Sequence, residues 1–192
     1  MKTVAQVSSE LIPELERVLK LQPGTVTMEQ LAGSLKKIGI NHVVDAADAH
    51  VAANGIAEKL LAAKAAVSPV ILTNSYAAQQ FLKAEFPGLA DAFCFYDSSL
   101  SLFGKLGKEQ FAQGDAPIKT FAFGPVGGDA AEAEKTGCVD IAVNARELAR
   151  IMIRTGSMGG LDSQIHSKLQ FPVANYNLLC YNFCDHFTGS ET

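Results

Sequence analysis

With 192 residues, 48% of them apolar and 19% charged, the chain has the composition of a folded globular protein and not of a disordered one. A domain near this size buries roughly 70% of the surface its unfolded chain exposes, so neither a metal nor a disulfide is needed to hold it. The formal charge of −4, the pI near 5.5 and the scattered lysines and arginines exclude a basic stripe for nucleic acid. No apolar run nears the roughly 20 residues of a membrane span. The start, MKTVAQVSSEL, lacks the apolar stretch of a secretory leader. The expectation is a soluble, cytoplasmic protein with neither a nucleic-acid nor a membrane partner.

Short β-branched segments alternate with helical patterns along the chain. Thr3–Val7 reads as a first strand, followed by a helix capped by Ser8 or Ser9 with Ile12, Leu15, Val18 and Leu19 on one face. Pro13 is tolerated because it falls in the first turn. Thr27 and Gln30 have capping-box spacing, Met28, Leu31, Leu35 and Ile38 make the inner stripe of a second helix, and Gly39 stands where a C-cap belongs. A strand His42–Asp45, an alanine-rich helix around Val51–Val67 and a strand Pro69–Thr73 follow.

Helices are then predicted over Ser75–Phe86 and Ser98–Phe111, with Pro87–Gly88 stopping the first. Phe93, Phe95 and Tyr96 alternate with Cys94, as in a strand covered on both faces or lying at an interface. Strand Ile118–Phe123, a glycine-rich turn at Gly124–Gly128 leading into a short helix, strand Val139–Val143 and helix Asn144–Arg154 complete the pattern. Such alternation predicts an α/β single domain with a small, mainly parallel sheet covered by helices. Gly156–Gly160 is the candidate boundary between an α/β lobe over 1–156 and a C-terminal segment, 157–192, packed on the same domain.

Four cysteines, Cys94, Cys138, Cys180 and Cys184, read as thiols or ligands and not as a disulfide framework. Cys180 and Cys184 are spaced to share one helix face, and with His186 they offer thiolate and imidazole donors for zinc or iron. A closed zinc site wants four ligands, so a further donor such as Cys94, Cys138 or His166 would have to approach. The alternative is two apolar cysteines on an amphipathic helix with Tyr181 and Phe183. At the Gly124–Gly128 turn, backbone N–H groups could bind a small anion, although no Gly-Lys-Ser/Thr follows to make a phosphate loop.

The unit V-D-I-A-V-N-A-R-E-L-A-R-I-M-I, Val139–Ile153, resembles the D-x-V-L-T-T-R-E-L-A-R-M-I segment of iron-only hydrogenase catalytic domains. Residues 24–45, 81–89 and Leu102-Phe103-Gly104, the last at a matching distance from Pro87, are similar to further blocks of that family, in one order with few gaps. The resemblance covers about residues 3–155 and implies the first lobe of a domain that houses a two-iron subcluster joined to a 4Fe-4S cluster. It also implies cluster thiolates, a proton-relaying cysteine and a lysine that hydrogen-bonds an iron cyanide.

The residues here depart from each of these. The family's T-S-C-C-P-G-W loop corresponds to Leu72–Ala78, so its cysteine pair falls at Asn74–Ser75 or at Ser75–Tyr76. Its M-P-C-T-x-K-K loop corresponds to Gly124–Ala130, which puts Val126 at the ligand cysteine and Asp129 at the lysine. Its relay glutamates correspond to Ile56 and Ala57. A hydroxyl has a far higher pKa than a thiol, and iron–sulfur clusters select thiolates. The implied reading is a vacated pocket edged by Asn74, Ser75, Tyr76, Ser98, Val126 and Asp129 with no catalytic residue. Tyr76, Leu100 and Phe103 would flank this concavity, and the C-terminal segment or another chain would cover it. The expectation is a non-catalytic binding, regulatory or assembly subunit without cofactor, self-associating or paired with a redox protein. The alternative is a hydrogenase-related oxidoreductase with an iron–sulfur cluster or zinc on Cys180 and Cys184.

Overall fold

The structure, a computed structural model, describes residues 1–63, 70–111, 117–125 and 128–157. Among these, six strands and seven helices alternate: β1 (Lys2–Val7), α1 (Leu11–Leu19), α2 (Met28–Lys37), β2 (His42–Asp45), α3 (Ala46–Ala63), β3 (Ile71–Thr73) and α4 (Tyr76–Glu85). A 3-10 turn at Pro87–Ala92 leads into β4 (Phe93–Phe95), α5 (Ser99–Phe111), β5 (Ile118–Gly124), α6 (Gly128–Thr136), β6 (Ile141–Asn144) and α7 (Ala145–Thr155). Among the described residues no helix is long and apolar enough to cross a membrane.

The expected α/β architecture is present, but its strands form two sheets and not one. Among the described residues four strands pair in the order β2-β1-β5-β6, while β3 and β4 pair only with each other, and every pairing is parallel. Alternation along the strands sorts side chains between the layers. Ala5, Val7, Val43 and Phe123 face one side with Leu11 and Leu15 of α1, Leu31 and Leu35 of α2, and Leu148 and Met152 of α7. Val4, Val44 and Ala122 face the other, against Ala49 of α3 and Leu100 and Phe103 of α5. The far side of α3 and α5 packs through Ala52, Ala53, Ile56 and Leu102 on Leu72 of β3 and Cys94 of β4. The layers therefore run helices, large sheet, helices, small sheet. Which sheet a strand joins depends on these helix faces, which strand periodicity does not encode.

Two threonines staple the large sheet at the edge where its strands begin. The Thr3 N–H donates to Asn41 Oδ1 at 2.8 Å, and the Asn41 N–H donates to Thr3 Oγ1 at 2.9 Å. On the neighbouring strand β5, where Lys119 stands opposite Thr3, the Thr120 N–H and hydroxyl both donate to Asp140 Oδ2 at 2.7 Å. Asn41 immediately precedes β2 and Asp140 immediately precedes β6, so each staple sets the register of an outer strand.

Helix starts differ from expectation in two places. The first helix begins at Leu11, with no side-chain cap, because the Ser8 N–H is held by the Phe123 carbonyl at 3.0 Å and Ser9 falls in a preceding turn. Helix α3 begins at Ala46, five residues before the expected start, where the Ala47 N–H donates to Asp45 Oδ1 at 2.9 Å. Its expected end at Val67 lies outside the described residues. The capping boxes at Thr27/Gln30 and Asn144/Glu147 are both formed.

Glu16 is 4% exposed although it stands on a helix surface in the sequence pattern. Its carboxylate accepts from the Val26 N–H at 2.8 Å and the Gly24 N–H at 3.0 Å, organising the turn between α1 and α2. Those backbone donors, Val26 foremost, hold its pKa below the usual carboxylate value against the opposing effect of burial. A depressed folded pKa contributes stability that is present above the unfolded value near ~4.3 and is lost as pH falls through the folded pKa. Glu16→Gln should therefore flatten the acid limb of the stability profile while lowering stability at neutral pH, read from urea unfolding between about pH 3 and 7.

At Gly104 an added Cβ would overlap the Cys138 carbonyl, whereas at Gly55 it would meet nothing within 4 Å. Gly104→Ala is expected to destabilise by about 1–3 kcal/mol through forced backbone movement. Gly55→Ala, inside α3, should stabilise by about 1 kcal/mol. Opposite shifts of the denaturation midpoint would establish that α5 lies tight on the turn before β6.

Candidate functional site

Because all pairings are parallel, the strands of each sheet end together, and the loops after β1, β5, β3 and β4 hold most of the residues singled out above. In the large sheet the chain order reverses between β1 and β5, and open α/β sheets bind ligands outside the strand ends at such a switch point. The Ser8 N–H bond to the Phe123 carbonyl, at 3.0 Å, continues the β1–β5 ladder up to this point. Val126 lies outside the described residues. Asp129 is in the first turn of α6, and its side chain lies outside them too.

The small sheet brings Asn74, Ser75 and Tyr76 beside the end of β4. The Tyr96 N–H donates to the Thr73 carbonyl at 3.3 Å, and Gln79 Nε2 reaches the Tyr96 carbonyl at 3.2 Å, joining both loops to α4. Ser75 is the N-cap of α4, its hydroxyl accepting from the Ala78 N–H at 3.3 Å. Asn74 and Tyr76 are half-buried. Ser98 accepts from the Ser101 N–H at 3.0 Å and donates to Glu132 Oε1, which draws the start of α5 against α6. Asp97 beside it accepts from the Ser101 hydroxyl and is paired with Lys105 at 2.7 Å. Two predicted flanks of the concavity are corrected: Leu100 is 4% exposed and Phe103 fully buried, because both pack inward under the large sheet. Ile56, which the resemblance sets against a relay glutamate, is likewise core.

Neither cysteine among the described residues belongs to these strand-end loops. Cys94 is buried in mid-strand between the small sheet and the α3/α5 layer. Cys138 packs beside α5, where burial, the largest influence, pushes its thiol pKa up. Together with Asp97, Lys105 and Lys108 it lines a groove of about 500 Å³ along α5, but both lysines there are paired, Lys105 with Asp97 and Lys108 with Asp140 at 3.6 Å. Cys180, Cys184 and His186 lie outside the described residues. Among the described residues no three histidine, cysteine or acidic side chains converge to hold a metal. Gln6 Oε1, in β1, is the buried side-chain polar atom that finds no partner among them. An amide oxygen is a hard neutral donor and does not replace a thiolate.

Sequence reasoning missed Glu132, which nothing in the helix pattern distinguishes from its neighbour Glu134. It also missed that Ser75 and Ser98 already have structural roles. Their positions just before amphipathic stretches are the cap signal that would have revealed this. If they are caps, Ser75→Ala and Ser98→Ala should each lower stability by about 1 kcal/mol, shifting the urea midpoint without changing the slope. Unchanged midpoints would free both hydroxyls for another role.

The comparisons with known proteins agree with this architecture. The sequence matches the family described as iron only hydrogenase large subunit, C-terminal domain, over residues 1–167. No curated protein matches it. Among solved structures, a glutamate-to-alanine variant of the [FeFe]-hydrogenase HydA1 from Chlamydomonas reinhardtii superposes with a TM-score of 0.67 at 18% identity, covering 86% of this chain and 45% of that one. The apo form of a cysteine-to-histidine variant of the same enzyme gives 0.66 at 18% identity, covering 88% and 46%. A structure reporting stepwise [FeFe]-hydrogenase H-cluster assembly gives the same values. These likenesses establish the fold, and the chain spans less than half the length of the solved relatives. By its match over most of its length to their C-terminal domain, the chain belongs to the family of iron-only hydrogenase large subunits.

Proposed function

We propose that this chain is a degenerate iron-only hydrogenase homologue that does not turn over hydrogen and serves as a binding, regulatory or assembly subunit. The observation that carries the reading is the chemistry of the strand-end loops. Where the family resemblance implies thiolates, Ser75 caps a helix. Where it implies a ligand cysteine and a lysine, the sequence has Val126 and Asp129. The described residues do not fit an iron–sulfur cluster, which is held by several thiolates at once. Valine has no donor atom, and a carboxylate accepts hydrogen bonds where a lysine would donate them. A neutral hydroxyl already committed to a backbone N–H is a poor substitute for either.

What remains among the described residues is a folded scaffold in which Ser75, Gln79 and Ser98 of the small-sheet loops and α4 are engaged in internal hydrogen bonds. Such a scaffold supports recognition of another protein, either a second copy of itself or a redox protein, better than it supports catalysis. The competing reading places iron or zinc on Cys180, Cys184 and His186 and is favoured by one feature, the three-residue spacing of the cysteines.

The reading is tested by expressing the full chain with hydrogenase maturation factors. Neither hydrogen evolution nor uptake above a cluster-free control is expected. Val126→Cys alone should not confer a stable cluster, since a cube usually wants four thiolates. Turnover by the unaltered chain would overturn the proposal, and stoichiometric iron in the single variant would show that the ligand set lies elsewhere.

A further inference from the structure

The scatter of cations along the sequence hides one regularity, on α7. Three of the chain's four arginines, Arg146, Arg150 and Arg154, recur at every fourth residue of this helix. Positions four apart share a helix face, so the three form a row about 12 Å long with about 6 Å between neighbours. All three are exposed, while Ala145, Leu148, Ala149 and Met152 bury the other side of α7 in the core with α1 and the large sheet. None of the three has an ion-pair partner among the described residues. The one acid of α7, Glu147, turns back to accept from the Asn144 N–H at 3.0 Å in the capping box.

Folding does not call for this row. Arg146 with Arg150 and Arg150 with Arg154 are like-charge pairs at the spacing where helix neighbours repel. Arg146 also stands in the first turn, where the helix dipole disfavours a cation, and only Arg154, in the last turn, suits it. The helix is held by its buried face and its capping box, and neither uses a guanidinium.

We propose that the outer face of α7 binds a protein partner through an acidic surface whose carboxylates recur at about the same 6 Å spacing, as on a helix with acids four residues apart. The inference rests on the binding role proposed above and gives it a partner chemistry. A guanidinium takes a carboxylate through two parallel hydrogen bonds, and arginine is enriched in protein interfaces. Ile153, 64% exposed and one turn from Arg150, adds an apolar contact that a protein surface can cover. A nucleic acid fits less well, because three phosphate contacts give little affinity and the chain's formal charge of −4 repels a long polyanion. A lipid surface also fits less well, since the apolar side of α7 is packed in the core and has nothing to insert.

The test measures binding to the full-length protein at low ionic strength. The probes are a helical peptide with glutamate at every fourth position, its glutamine counterpart, a single-stranded oligonucleotide of equal charge and vesicles containing anionic lipid. These readouts need no cluster and the hydrogen assay needs no peptide, so failure here is distinguishable from failure of the reading it rests on. Saturable binding of the glutamate peptide alone is expected, weakened about threefold in R150Q and at least about tenfold in R146Q/R150Q/R154Q. The urea midpoint of R150Q should hold or rise, because two repulsive pairs are removed. Absence of binding to the glutamate peptide, or equal binding by the triple variant, would overturn the proposal. Tighter binding of the oligonucleotide or the vesicles would assign the row to another class of partner and overturn it too. So would a dimer, seen by light scattering without peptide, that the triple variant abolishes. A lowered midpoint in R150Q would make the row part of the fold and contradict the assignment.

Discussion

Two threonine staples tie the outer strands of the large sheet to its central pair at the edge where the strands begin. Thr3 with Asn41 and Thr120 with Asp140 each exchange hydrogen bonds between a central strand and the residue that opens its outer neighbour. A slip of one residue would turn Val43 and Val44 to the wrong faces and expose a row of core side chains. At Asp140, burial works against ionisation, but the Thr120 donors and the Lys108 ammonium outweigh it and hold the pKa low. The staple on the β6 side is therefore a charged one at neutral pH. With both outer strands fixed, β1 and β5 end side by side, their ladder running on to the Ser8 N–H bond with the Phe123 carbonyl.

In open parallel sheets the strand ends are where a ligand is held, and several of the described polar groups there are engaged within this chain. Ser75 and Ser98 cap helices, Gln79 joins β3 to β4, and Asp97 is neutralised by Lys105. On the reading proposed above, family membership and chemical capacity separate. The scaffold can outlast its chemistry because its stability rests on three apolar clusters, none of which is built around metal ligands.

Much of this is legible in the residues. Strand β2 and the Thr27 capping box follow from local signals, a β-branched pair between turn residues and a Thr three positions before Gln. Tertiary choices are not so encoded. The start of α3 escapes the pattern because Ala46–His50 lacks an apolar stripe, and its buried alanines show only when the packing is known. Glu16 looks like surface because its partners are backbone amides on a turn with no sequence signature. The division into two sheets follows from α3 and α5 each having two apolar faces, which reads equally well as one buried helix layer. At the site, the missing cysteines are plain from the sequence, while the roles of the serines need the helices to be in place.

On the proposed reading, the chain keeps the hydrogenase fold without the means of holding its cluster. Iron and acid-labile sulfide analysis, with an absorption spectrum, of the full-length protein purified without oxygen from cells equipped with the maturation machinery tests this most directly. Substoichiometric iron and no visible absorption band are expected. A brown protein with stoichiometric iron and sulfide would contradict it.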